Sequence, residues 1–365
     1  MVKKTGNFSE QEVSIVKCTS YKQSKVDTAI RKSFKLLKIE IPKNKKILIK
    51  PNLISADVKN PKATYTQPQI IGAICKILKK NNCKIYIGES SFMNTGIFFK
   101  KAGYDKIAKK YGAKLVIFEQ DKLVRIKNSK NKILKEFPIA KSLKEVDYII
   151  NVPKLKTHSL MKITGAIKNL YGVIPGGLKQ KLHTKADKHS RFAKLLVDIF
   201  ENLQNKILIN IMDGVIGMEG VGPTSGCPKK SNLILASKNS VSLDIIASKI
   251  IGYKPKEILP TKEAVKRKLG HWETIILGSK RIPLLNFKKP YVRDRAPRAI
   301  RNIFKGKPIV VDKTKCIKCG LCARKCPQKA ITLKPYPIID TKKCIRCFCC
   351  MEICPQHALG LKGKN

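Results

Sequence analysis

DYIINVPKLKTHSL, residues 147–160, opens as a short apolar run and closes as a polar one. Its first six residues are too few for an ordinary helix and are rich in isoleucine and valine, so DYIINV predicts a strand buried on both faces. The segment behind it, PKLKTHSL, sets two lysines, a threonine and a histidine just past that strand's carboxyl end. Ligands of open α/β sheets bind in such places.

Seven further runs of this kind lie between residues 13 and 278: VSIVK (13–17), KILIK (46–50), KIYIG (84–88), KLVIF (114–118), KILINIM (206–212), NLILAS (232–237) and TIILG (274–278). Longer segments of helical pattern separate them, among them VDTAIRKSFKLL, QPQIIGAICKILKK, RFAKLLVDIFENL and SVSLDIIASKI. The alternation predicts an α/β fold, a largely parallel sheet with helices on both faces.

Three other strands also end in polar residues. KILIK runs into Pro51 and Asn52, KIYIG into Glu89, Ser90 and Ser91, and KILINIM into DGVIGMEGVGPTSGCP. Four segments therefore converge on one expected crevice. Its candidate binding residues are Lys50, Asn52, Lys154 and Lys156 for an anion and Asn169 for orientation. His158 is the candidate proton donor, and Asp213, Glu219 and Glu89 are acid/base groups or metal ligands. Each has a plainer alternative: a solvated lysine, a turn-capping acid, a hydrogen-bonded structural histidine. His183 and His189 are weaker candidates, and His271 and His357 weaker still.

Two glycine-rich segments need separate treatment. GMEGVGPTSGCP contains G-x-G-x-x-x-G but leads into the strand-like PKKSNLILAS, whereas a phosphate-binding loop opens a helix. This argues against NAD or ATP there. GAIKNLYGVIPGG, 165–177, predicts a short helix over 165–171 followed by a loop able to act as a lid.

Nine of the thirteen cysteines lie between Cys316 and Cys354. CIKCGLCARKCP at 316–327 and CIRCFCCMEICP at 344–355 share one spacing at a shift of 28, and Asp312/Asp340, Gln328/Gln356, Ala330/Ala358 and Leu333/Leu361 extend the match. Each half has the C-x2-C-x2-C-x3-C-P run in which three thiolates cap one cubane and the fourth reaches the other. Two [4Fe-4S] clusters are expected, the first on Cys316, Cys319, Cys322 and Cys354, the second on Cys344, Cys347, Cys350 and Cys326. Zinc, the alternative, usually takes its ligands as two separated pairs. Cys349 falls where the first half has Leu321 and reads as core filling, with a redox or alternative-ligand role as the other option. Cys18, Cys75 and Cys83 read as small buried hydrophobes.

The net charge is +51, and 65 of the 76 basic residues are lysine. Such a surface attracts anions, whether as a generic lysine coat or through a dedicated acidic partner. The densest patch, 280–307, has ten basic residues against Asp294 alone, and Ile300, Ile303 and Phe304 offer it one short apolar face suited to docking on an acidic membrane surface. No stacking platform or RNA-recognition motif is visible and aromatics make up 6%, which argues against nucleic acid. No apolar stretch approaches the roughly 18 to 20 residues of a membrane helix, and the opening MVKKTGNFSEQEVSIV lacks a signal peptide's apolar core. A cytoplasmic location is expected.

KPN at 50–52, GES at 88–90, PKLKTH at 153–158, GAIKNLYG at 165–172, DGVIGMEGVGP at 213–223 and CIRCFCC at 344–350 together resemble the iron-sulfur centre proteins of the domain-of-unknown-function 362 family. The resemblance spans most of the chain, implies that Cys349 is a family feature, and implies no particular reaction. The tail separately resembles two-cluster bacterial ferredoxins at all eight ligand positions, with Phe348 standing where the first half has Gly320. The expected organisation is an α/β body over 1–280, a basic linker over 281–307 and a small α+β ferredoxin-type domain over 308–365. The favoured reading is an electron-transfer protein or oxidoreductase serving a redox partner protein and a small anionic substrate. The alternative is a non-catalytic carrier or scaffold whose basic surface docks an acidic partner, lipid or RNA.

Overall fold

The computed structural model describes residues 11–91, 94–290 and 309–361. Along the chain come β1 (Glu12–Lys17), β2 (Lys46–Pro51), β3 (Lys84–Glu89), β4 (Lys114–Ile117), an outlying hairpin of β5 (Leu123–Lys127) and β6 (Glu136–Ala140), then β7 (Tyr148–Val152), β8 (Lys154–His158), β9 (Lys162–Ile163), β10 (Ile207–Glu219), β11 (Cys227–Ser237) and β12 (Ile275–Leu277). One sheet takes the order β12-β1-β11-β10-β7-β2-β3-β4, with β8 pairing with β10 and β9 with β8. From β10 through β7, β2 and β3 to β4 every pairing is parallel, whereas β11 runs antiparallel to both neighbours, β1 and β10. The sheet is thus mixed and mostly parallel.

The helices are α1 (Gln23–Leu36), α2 (Pro61–Thr64), α3 (Pro68–Lys80), α4 (Thr95–Lys101), α5 (Tyr104–Tyr111), α6 (Lys141–Glu145), α7 (Gly165–Asn169), α8 (Leu178–Lys185), α9 (His189–Leu203), α10 (Ser240–Ile251) and α11 (Leu259–Lys266). Alternate strand residues face opposite ways. Ile47 and Ile49 of β2 join a core with Ile30 of α1 and Ile70 of α3, while Leu48 joins one with Ile167 of α7 and Leu196 of α9. Helices on both faces explain why the central strands are apolar almost without interruption.

Three segments differ from expectation. PKLKTH is not a loop: Lys154–His158 forms β8, every residue of it buried. DGVIGME extends β10, which bulges between Gly214 and Ile216, so the glycine-rich connection shrinks to the turn before β11. Nor is the segment after Tyr171 an open lid. A 3-10 turn at Leu170–Val173 leads to α8, and Val173, Ile174 and Leu182 are buried. β8 is buried through the polar contacts of Lys154 and Lys156, whereas the other two segments bury Val215, Met218, Val173, Ile174 and Leu182 in the core.

The tail folds as a duplicated pair. Ile309–Val311 pairs with Leu359–Leu361, and Ile331–Lys334 with Tyr336–Ile339, so each strand of one half meets a strand of the other. Backbone conformation repeats as well: Lys318 and Arg346, Gly320 and Phe348, Lys329 and His357 all have positive φ. The unit packs on the body, with Ile309, Phe348, Cys350 and Met351 in the same apolar cluster as Leu196 and Leu170. Residues 285–288 of the basic run bond to the body through Ile250, Ile251 and Glu219. Ile300, Ile303 and Phe304 lie outside the described residues.

Candidate functional site

Two cavities in the tail are each lined by four cysteines. Cys316, Cys319, Cys322 and Cys354 line one of about 360 Å³, and Cys326, Cys344, Cys347 and Cys350 line one of about 340 Å³. These are the crosswise sets expected from the spacing. Among the described residues, no three His, Cys, Asp or Glu side chains converge as a single metal ion requires. A cubane instead spreads its thiolates over four irons, so the donor set fits [4Fe-4S] better than zinc. The halves also match in detail, since the Ala330 amide donates to Cys326 Sγ at 3.2 Å and the Ala358 amide to Cys354 Sγ at 3.3 Å. The Cys349 thiol is buried, and its hydrogen bond with Cys347, followed by burial, holds its pKa well above the usual range.

A third cavity, about 560 Å³, lies where the body meets the tail. The ends of β2, β3 and β8 bring Asn52, Glu89 and His158 to its wall, α7 brings Asn169, and the helix Cys349–Ile353 brings Glu352. Lys50 lies against this wall, its Nζ 2.5 Å from Glu89 Oε2. Burial pushes Lys50 down and Glu89 up, and their pairing opposes both shifts. Gly172 makes room for the pair, because a Cβ there would overlap Glu89 and lie 2.6 Å from Lys50 Nζ.

His158 is held in one tautomer. Its Nδ1 accepts from the Leu160 amide at 3.0 Å, so Nε2 carries the proton and faces Glu352 Oε1 at 3.4 Å. Burial first, then Lys168 and Lys156, lower the His158 pKa well below the usual value, so the ring is neutral and this contact is no ion pair. Burial raises Glu352 to about 7, against the pull of Lys168 and Lys156. Lys179, bonded to the Ser90 and Ser91 carbonyls, is lowered to about 8 by burial.

The remaining expected residues stand elsewhere. Lys154 Nζ lies 2.7 Å from Asp213 Oδ2, and both side chains are without solvent contact. Asp213 also accepts from the Tyr21 hydroxyl at 2.8 Å and the Gln67 amide at 3.0 Å, so both its oxygens are engaged. Burial lowers Lys154 despite Asp213, and raises Tyr21, with Asp213 adding to the rise. Lys156 Nζ contacts the carbonyls of Thr64 and Pro223, and burial lowers it well below its usual value. Glu219 accepts from the Lys288 amide at 2.9 Å. His183 stacks on Phe192 with ring centres 4.4 Å apart and lines the cavity's edge. His357 bonds to Ser225 at 2.7 Å, tying tail to body.

Sequence reasoning passed over Lys168, Lys179, Tyr171 and Glu352 as site residues. Glu352 left a trace, for it occupies the position of the exposed Arg324 in the first half. An acid replacing a base in one copy of a repeat marks the copy with a different neighbour.

Residues 309–332 match the 4Fe-4S binding domain family. The protein is an iron-sulfur protein of the electron-transfer type. No helix among the described residues is long and apolar enough to cross a membrane. A thylakoid-associated protein of Synechocystis sp. is 26% identical over 274 residues, which cover 71% of this chain and 82% of the relative. Residues 47–249, more than half of the sequence, match the family described as domain of unknown function 362. To that family this chain belongs.

Proposed function

We propose that Cys316, Cys319, Cys322 and Cys354 hold one [4Fe-4S] cluster and Cys344, Cys347, Cys350 and Cys326 a second, and that the bound pair relays single electrons between a redox partner protein and a small anionic substrate in the interfacial cavity. One observation carries this reading: Glu352, flanked by Cys350 and Cys354, lines the same cavity as Asn52, Glu89 and His158 from the body. Lys168 and Lys179 attract the anion, His158 Nε2–H donates to it, and Asn52 and Asn169 orient it. The Lys50–Glu89 pair stiffens the wall behind it. Lys154, Lys156, Asp213 and Glu219 hold the strands that carry these groups. Cys319 is the exposed ligand position and faces the partner. Thirteen cysteines, none of them in a disulfide, suit a reducing compartment such as the cytoplasm.

Protein purified without oxygen should contain about eight iron and eight sulfide per chain. Zinc without sulfide overturns the reading. Cys326→Ala should disturb the cluster of the second motif and Cys354→Ala that of the first, as resolved by electron paramagnetic resonance. Native mass spectrometry of the same material should find a small molecule bound.

A second reading, a carrier docked on an acidic membrane, draws on the basic run 280–307 and on the thylakoid association in the relative's name. Flotation with anionic vesicles separates the two.

A further inference from the structure

Four buried asparagines set the ligand requirement of the interfacial cavity. Asn210 Nδ2 donates to the Ser237 carbonyl at 3.2 Å, and Asn151 Nδ2 to the Ala166 carbonyl at 3.0 Å and to Asn210 Oδ1 at 2.9 Å. Asn169 Nδ2 donates to Asn151 Oδ1 at 2.8 Å and faces the carbonyls of Lys50 and Pro51. Asn52 Nδ2 then donates to Asn169 Oδ1 at 2.9 Å. Carbonyl oxygens only accept, so each one fixes which end of its amide faces it, and the order passes along the row to Asn52. The row ends with Asn52 Oδ1 buried, unpartnered and on the cavity wall.

Elsewhere on the wall the shortage is of acceptors. His158 Nε2–H is buried without a hydrogen-bond partner, and Thr164 Oγ1 is unpartnered as well. Among the described residues, Lys168 Nζ has no ion pair or hydrogen bond. Buried polar groups such as Asn52 Oδ1, His158 Nε2–H and Thr164 Oγ1 left in this state are costly, and a ligand that completes them recovers the loss. Of the two wall acids, Glu89 is matched by Lys50, so lysines 168 and 179 outnumber the other, Glu352.

We infer that the cavity binds a small hydroxycarboxylate, its carboxylate accepting from His158 Nε2–H and Lys168 and its hydroxyl donating to Asn52 Oδ1. This rests on the reading of the cavity as an anion site. A plain carboxylate leaves Asn52 Oδ1 unpaired, and an ammonium in place of the hydroxyl meets surplus positive charge.

The test is calorimetry on anaerobic holoprotein with malate and lactate against their deoxy counterparts, succinate and propionate. The hydroxylated member of each pair should bind about tenfold tighter or more. Asn52→Ala should erase that preference, and Lys168→Met should weaken all four alike. Equal affinity within both pairs, or tighter binding of aspartate than of malate, overturns the inference. So does the absence of any binding by protein with its full iron and sulfide, a result that leaves the cluster assignment standing. Conversely, missing sulfide with the hydroxyl preference intact removes the redox role and keeps the ligand.

Discussion

Lys154 and Asp213 lie 59 residues apart in sequence and 2.7 Å apart in space, sealed from solvent on all sides. Removing either partner strands the other as an uncompensated charge. Lys154→Met or Asp213→Asn should each destabilise the protein by about 3–5 kcal/mol, and the double change Lys154→Met with Asp213→Leu by much less than the sum. Urea denaturation of the holoprotein measures the difference. The scarcity of acids made Asp213 conspicuous in the sequence. Nothing local distinguished a sealed ion pair from a catalytic acid, because the distinction depends on which distant side chain fills the space beside it. His183 makes a similar point with protons. Burial depresses its pKa to about 3 from an ordinary 6.5, so on acidification the unfolded chain takes up the proton first. Stability should therefore fall as pH drops below about 6.5, by up to about 1.4 kcal/mol per unit from this group. His183→Phe, which keeps the stack on Phe192, should flatten that slope between pH 6.5 and 5.

The parallel strands were legible because strands covered on both faces must be apolar throughout, and KILIK, KIYIG and DYIINV have few alternatives. β8 was not legible. Lys154, Lys156 and His158 look like a solvated loop until β10 and the α2 segment supply their partners, so tertiary context overrode local polarity. The glycines of GAIKNLYG suggested mobility, yet Gly172 serves close approach. Gly172→Ala should push the Lys50–Glu89 pair apart, cost about 1–3 kcal/mol and lower the thermal midpoint. The helix Cys349–Ile353 differs from its twin Leu321–Arg324 in being buried along its length. Restoring the twin's residue with Glu352→Arg adds a cation near Lys168 and Lys156. Iron content should hold while amide hydrogen exchange across 349–353 rises, and unchanged exchange would show that this helix does not anchor the tail.

Tail and body share one apolar cluster, a union the sequence concealed because the cysteine repeat reads as a unit complete in itself. The net charge of +51 bears on how this assembly meets a donor of electrons. Reduction by an acidic carrier protein should slow steeply between low and physiological salt, as steering is screened. Stopped-flow mixing at several ionic strengths reads this directly, and a flat profile would rule out charge-guided docking.

Of the eight ligand-position cysteines, Cys319 alone is exposed, while the second motif is backed by the body. Lopsided shelter of this kind governs how the molecule ages in air. Oxygen corrodes iron-sulfur cubes where it can reach them, so of the two clusters proposed, decay should begin at the outer one and spare its twin. Ageing samples should pass through a half-stocked form with about four irons before the remainder is lost.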